Sequence, residues 1–211
     1  MRITEIYASV SGETAHAGRP CTLVRTTGCD LRCGYCDTAY AFTGGAERSI
    51  DEVLAEVAGL SPRLVLLTGG EPLLQRELPE LAERLLGLGY DVMVETGGSQ
   101  DLARLPRGVI RILDVKTPGS GESHKMRWDN LALLEPKDAV KFVLCDEADY
   151  RWSVEVARDR CLFGRTEVLL SPVHGRLDPR VLVRWILRDG LPVRLNLQIH
   201  KYVWGADVQG V

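Results

Sequence analysis

Three cysteines stand in one short segment, Cys29-Asp-Leu-Arg-Cys33-Gly-Tyr-Cys36, with three residues and then two between them. Thiolates are soft ligands suited to zinc or to an iron-sulfur cluster, and a structural zinc site closes with four protein ligands. Only three are local here. Cys21 precedes the strand that leads to Cys29, so it is expected at the far end of that strand and not as a fourth ligand. One reading is therefore a zinc site completed by His124, His174 or His200. The other is a cluster with one open coordination position, the arrangement that a catalytic metal needs. A second segment, Thr68-Gly69-Gly70-Glu71-Pro72, combines glycines that permit close backbone approach with a carboxylate able to accept from an ammonium. A third, Glu95-Thr96-Gly97-Gly98, has similar character.

These segments must be positioned by regular elements. Near-continuous apolar runs at Thr22–Thr27, Leu64–Thr68, Asp91–Glu95, Ile110–Val115, Ala139–Cys145, Glu167–Leu170 and Arg194–Ile199 read as buried parallel strands. Ser49 and Glu52 have capping-box spacing and open a helix to about Ala58; Asp178-Pro179 is an N-cap followed by proline at the first helical position. Glu77–Leu88 and Glu147–Arg158 are the other helices. The alternation fits either an open doubly wound sheet or an incomplete βα barrel, and periodicity does not choose between them. In both, the loops after the strands gather at one carboxyl-end face. Those loops include the cysteine segment, the two glycine segments, Lys116-Thr117-Pro118-Gly119 and Ser171-Pro172-Val173-His174-Gly175, which favours an enzyme.

Composition narrows the classes. A chain of 211 residues is expected to form a single domain, 1–211, with the cluster loop at 28–38. With 26 basic and 29 acidic residues, the formal charge of -3 offers no field that would gather nucleic acid. No apolar run approaches the ~20 residues that span a bilayer. No secretory signal is visible at the start, so a cytoplasmic location is expected. Cys145 reads as a buried small hydrophobe, Cys161 has no visible partner, and His16, His124 and His174 lie in loops without ligand-like spacing. The four tryptophans are dispersed and read as core or interface residues.

The cysteine spacing, with Tyr35 just before the last cysteine, and the GGEP tetrapeptide about thirty residues later resemble the radical S-adenosylmethionine (SAM) superfamily. The resemblance implies an α/β fold, the incomplete, TIM-like βα barrel with about six to seven mostly parallel strands. It implies a 4Fe-4S cluster held by Cys29, Cys33 and Cys36, with the fourth iron chelating SAM. Gly70 and Glu71 would bind the SAM amino group, Gly98 would approach its ribose or carboxylate, and Tyr35 and Asp37 would lie beside it.

More narrowly, the chain resembles the 7-carboxy-7-deazaguanine synthases. The similar segments are Ser11-Gly12-Glu13, Ala17-Gly18-Arg19-Pro20, Leu23-Val24-Arg25, Cys36-Asp37-Thr38, Asp114 to Gly121, Val140-Lys141-Phe142-Val143 and Gln198-Ile199-His200-Lys201. This implies conversion of 6-carboxy-5,6,7,8-tetrahydropterin to 7-carboxy-7-deazaguanine with loss of ammonia, on the route to queuosine. The cofactors implied are the cluster, SAM and Mg²⁺ at Thr38, and the partners are a flavodoxin or ferredoxin as electron donor and a second copy in a homodimer. Arg25 is the candidate anchor for the substrate carboxylate, because its planar fork matches a carboxylate. Val10, Ser11, Gly12, Thr96 and Lys116 are carried over as substrate contacts and Lys141 as a cofactor contact. Ser11 departs from the glutamine usual in the family. Glu13 is a candidate for proton transfer. His200, expected at a strand end facing the site with Lys201, is a candidate general acid or orienting group. Two rivals stand beside this reading. One is an activating enzyme that installs a glycyl radical on a protein; the other is a zinc-stabilised binding module without catalysis.

Overall fold

The computed structural model describes residues 1–206 and 208–210. In chain order the strands are β1 (Arg2–Val10), β2 (Pro20–Thr26), β3 (Ala46–Glu47), β4 (Leu64–Gly69), β5 (Asp91–Thr96), β6 (Ile110–Val115), β7 (Ala139–Leu144), β8 (Glu167–Pro172) and β9 (Arg194–Leu195). The helices are α1 (Ile50–Ala58), α2 (Leu78–Gly87), α3 (Glu147–Asp159), α4 (Pro179–Asp189) and α5 (Ile199–Val203). The strands form one sheet in the order β3-β1-β2-β4-β5-β6-β7-β8-β9. From β2 to β9 every pairing is parallel, whereas β1 runs antiparallel to both β2 and β3. The sheet does not close, so the architecture is an open, incomplete βα barrel.

Period-two alternation sorts the strand side chains onto two faces. One face, with Val24, Val65, Leu67, Val92, Val94, Leu113, Val115, Val140, Phe142 and Leu170, belongs to the main core beneath the helices. The other carries a smaller apolar layer of Cys21, Leu64, Leu66, Met93, Ile112, Ala139 and Leu169. Two residues further along the same strands, the same parity delivers Glu95, Asp114 and Lys141. Arg25 is two such steps beyond Cys21. An apolar floor thus underlies a charged layer at the carboxyl ends of the strands. Cys21 is 1% exposed and pairs in register with Leu64, at the opposite end of β2 from Cys29, as its position in the sequence predicts.

Two expectations need correction. No strand is anticipated before residue 22, yet β1 is the longest; its ladder with β2 is interrupted between Ile3 and Glu5, which breaks the alternating signal. The strand expected at Arg194–Ile199 stops after Leu195. Asn196 N still donates to Leu170 O at 2.9 Å, but Ile199 N donates to Gly12 O at 2.9 Å, so the N-terminal loop takes a backbone group that would extend the ladder, and the Asn196 side chain accepts from Thr14 N at 2.8 Å. The chain turns into α5 instead, and His200 and Lys201 lie on a helix. No described helix is long and apolar enough to cross a membrane.

The predicted capping box at α1 is present: Ser49 Oγ accepts from Glu52 N at 3.2 Å, while Glu52 accepts from Ser49 N at 2.7 Å. Replacing Ser49 with Ala is expected to cost about 1 kcal/mol of unfolding free energy with no effect on the site, read by urea denaturation.

Candidate active site

The cysteine loop leaves β2 through Gly28, whose φ of +100° lies in the region that favours glycine. Gly28 O accepts from Glu71 N at 2.8 Å, and a Cβ on Gly70 would collide with Gly28 O and with Cys29 Cβ. The GGEP backbone therefore lies directly against the first cysteine, because β2 and β4 are parallel neighbours. Other loops pin the segment from outside. Ser99 and Gln100 donate to the two carboxylate oxygens of Asp30 at 3.0 and 2.9 Å, and Gly34 N donates to Ser120 O at 3.0 Å. Leu31 N points at Cys29 Sγ at 3.4 Å, a contact that favours the thiolate.

Cys29 and Cys33 are half-buried and Cys36 is exposed, and none is in a disulfide. Burial pushes the Cys29 thiol up to about 11, so a bound cation is what would draw off its proton. Among the described residues, no three His, Cys, Asp or Glu side chains are grouped so as to hold a single ion. Thiolates that each ligate a different iron of a cluster need not converge on one point. The donor set and the glycine cradle fit a 4Fe-4S cluster.

Glu71 is placed differently from its expected role. It is fully buried, and its two oxygens accept from Leu73 N at 3.0 Å, Gly97 N at 2.8 Å and the Thr96 hydroxyl at 2.8 and 2.9 Å. It braces three loops and is not presented to an ammonium. Thr96, expected to touch substrate, is 1% exposed with its hydroxyl committed to Glu71. Gly98 is enclosed on its side-chain side: a Cβ there would meet Met126 Cε and Leu113 Cδ1 at 2.6 and 2.7 Å.

The charged layer centres on Lys141. Its ammonium, 4% exposed, pairs with Glu13 at 2.7 Å, Asp114 at 3.2 Å and Glu95 at closer range. Lys116 pairs with Asp114 at 3.1 Å. Both lysines are thus occupied by protein carboxylates and are not presented as free ligand contacts. Three carboxylates, Asp114 buried and Glu13 and Glu95 half-buried, face two cations. Burial pushes the Glu95 carboxyl up, helped by Glu13 and Asp114 and opposed by Lys141. For Glu13 the burial effect is overcome by Lys141 and Gln198, and for Asp114 by Lys116 and Lys141; both lie below the usual carboxylate range.

At one side of this layer, Arg25 Nε donates to Glu5 at 2.6 Å, and Tyr40 donates to the same Glu5 oxygen at 2.8 Å. No hydrogen bond to a carboxylate uses the terminal nitrogens of Arg25 among the described residues. At the other side, Thr38 donates to Asp37 Oδ1 at 3.0 Å, an oxygen pair suited to a hard cation such as Mg²⁺. Lys201 donates to Asp37 Oδ2 at 2.6 Å; burial favours the neutral acid, but Lys201, Thr38 and Gln198 outweigh it and hold Asp37 well below its ordinary value. The Tyr35 hydroxyl is buried without a partner, near Lys116 and Asp114.

The N-terminal loop is folded by its own backbone. Ser11 N donates to Arg19 O, Gly18 N donates to Ser11 O, and Ser11 Oγ donates to Glu13 O, all at 2.8 Å. Ser11 therefore shapes the loop through its backbone and its hydroxyl. Val10 ends β1 in register with Pro20. The His200 ring packs on Gly12, where a Cβ would collide with it. Burial lowers His200 below 6.5 despite Glu13 and Asp37, so the ring is neutral at pH 7 and suits an orienting hydrogen bond better than proton donation.

Sequence reasoning singled out the segments that hold Glu95, Asp114 and Gln198 but gave these three residues no role, and it missed Asn196. Strand parity with Lys141 was the available signal for Glu95 and Asp114. Asn196 and Gln198 reach Glu13 only through the turn after β9.

An open sheet of parallel strands with a three-cysteine loop and a GGEP loop against it defines the radical SAM class. A family model described as the Radical SAM superfamily matches residues 23–114. The chain is 46% identical to a 7-carboxy-7-deazaguanine synthase of Koribacter versatilis, covering 100% of both, and 41% identical to one of Chlorobaculum tepidum, covering 100% of this chain and 97% of that one. The chain belongs to the 7-carboxy-7-deazaguanine synthase family. Its fold is similar to the crystal structure of QueE from Escherichia coli, with a TM-score of 0.75 and 19% identity over 93% of this chain and 92% of that one. It is also similar to Streptococcus suis SuiB bound to S-adenosylmethionine, with a TM-score of 0.59 and 15% identity over 81% of this chain and 48% of that one.

Two outcomes are expected. Gly70→Ala forces the GGEP backbone away from Cys29 and should lower the iron and sulfide retained per chain after anaerobic reconstitution to well under half of wild type. Burial also raises the Glu71 carboxyl from 4.5 to about 7 against its three donors. Between those values the folded chain holds a proton that the unfolded chain has lost, so stability falls as pH rises, by up to about 3 kcal/mol. In Glu71→Gln that slope should disappear from denaturation curves collected across the same pH range.

Proposed function

We propose that this chain converts 6-carboxy-5,6,7,8-tetrahydropterin to 7-carboxy-7-deazaguanine with release of ammonia, serving queuosine biosynthesis. The observation that carries the reading is the end-to-end identity of 46% to a 7-carboxy-7-deazaguanine synthase, in a chain whose charged layer faces the cysteine loop. When bound, the cluster and SAM supply the electron transfer and the carbon-centred radical that starts the reaction. Cys29, Cys33 and Cys36 hold the cluster, and Mg²⁺ is held through Thr38 beside Asp37. The backbone of Gly69 and Gly70, braced by Glu71, and the Tyr35 side chain line the SAM side.

The chain's own groups position the pterin. Arg25, steadied through Nε by Glu5, offers its terminal nitrogens to the substrate carboxylate. Glu13, ionised beside Lys141, accepts from the pterin N–H edge. His200, neutral and seated on Gly12, orients that edge. Lys141 keeps a cation beside Glu13 and Glu95, where the leaving nitrogen needs protonation. A one-electron donor of flavodoxin or ferredoxin type, a homodimer and a cytoplasmic location complete the reading.

The direct test is an anaerobic assay of reconstituted protein with SAM, dithionite, Mg²⁺ and the carboxypterin, read by mass spectrometry. Product and 5′-deoxyadenosine together support the proposal; SAM cleavage with no deazaguanine refutes the assigned substrate. Arg25→Met should lower kcat/KM for the carboxypterin about a hundredfold, mainly through KM, while leaving substrate-free SAM cleavage in place.

A further inference from the structure

The Gln198 side chain touches both halves of the site. Its Nε2 donates to Glu13 Oε1 at 2.8 Å and to Asp37 Oδ2 at 3.1 Å. Both acceptors are carboxylates, so the amide orientation is fixed: only the NH₂ end can face them, and its two hydrogens serve the two oxygens. Glu13 belongs to the substrate loop, whereas Asp37 follows Cys36 directly. We infer that Gln198 is a positioning residue that sets the distance between the substrate carboxylate Glu13 and the cluster loop, so that the radical formed on one side meets the pterin held on the other. The inference rests on the function proposed above.

The surroundings make this role hard to replace. Glu13 and Asp37 repel each other, and a neutral double donor between them relieves that repulsion without displacing the lysines. Glu13 is held from below by Lys141, and Asp37 from above by Lys201, so each carboxylate has its own cation and shares only the amide. The backbone bond from Ile199 N to Gly12 O, together with Asn196 on Thr14 N, fixes the segment that carries Gln198. Glutamate at 198 would face two carboxylates with no donor, and methionine would keep the bulk while losing both hydrogen bonds.

The test uses reconstituted, full-length Gln198→Met and Gln198→Glu, accepted for measurement when iron content and thermal midpoint match those of wild type. Two readouts are taken: 5′-deoxyadenosine formed per deazaguanine, and amide hydrogen exchange in residues 11–19. The expected result is a coupling ratio raised at least about fivefold, kcat lowered about tenfold with KM changed less, and faster exchange in 11–19, more severe for Gln198→Glu. A folded variant with wild-type coupling overturns the inference. If either variant fails to fold, Gln198→Asn, which keeps the amide but shortens its reach, gives the same two readouts. If the wild-type protein cleaves SAM but makes no deazaguanine, the proposed function fails instead, and unchanged exchange in 11–19 then overturns the positioning role independently.

Discussion

The site depends on one buried ammonium. Lys141 draws together a carboxylate from the loop after β1, one from β5 and one from β6, groups that would repel each other if left alone. Breaking a buried ion pair by removing one partner typically costs about 3–5 kcal/mol, because the remaining charge is stranded away from water. Asp114 would keep Lys116, whereas Glu13 and Glu95 would lose their shared cation, so the N-terminal loop and β5 depend on one anchor.

The two sides of the site are held by different forces. On the cluster side the contacts include closely packed glycine backbones, N–H and O–H donors on Asp30 and Glu71, and a carbonyl at Ser120. On the substrate side ionic contacts dominate, and they sit on an apolar floor that keeps water from beneath them and strengthens each pair. Parity along the parallel strands is what separates the floor from the charged layer.

Much of this was legible in the residues. The cysteine spacing, GGEP and the βα alternation located the cluster loop, its neighbour and the loops gathered beside them, since each depends on local sequence or on a rule about parallel strands. What escaped was side-chain commitment. Glu71, Thr96 and Lys141 read as ligand groups by type and position, yet each is consumed by protein partners whose identity only tertiary packing decides. The turn after β9 escaped for a similar reason: Arg194 to Ile199 has strand character, but the N-terminal loop captures its backbone at Ile199. β1 was hidden by the irregularity in its register.

The contacts also differ in how far along the chain they reach. The cysteine loop meets GGEP across about one βα unit, whereas Lys141 reaches Glu13 over 128 residues and Gln198 reaches it over 185. Closing longer loops costs more chain entropy, although the increase with length is slow. The brace between GGEP and the cysteine loop therefore closes a short stretch of chain, whereas the hold on Glu13 closes most of its length.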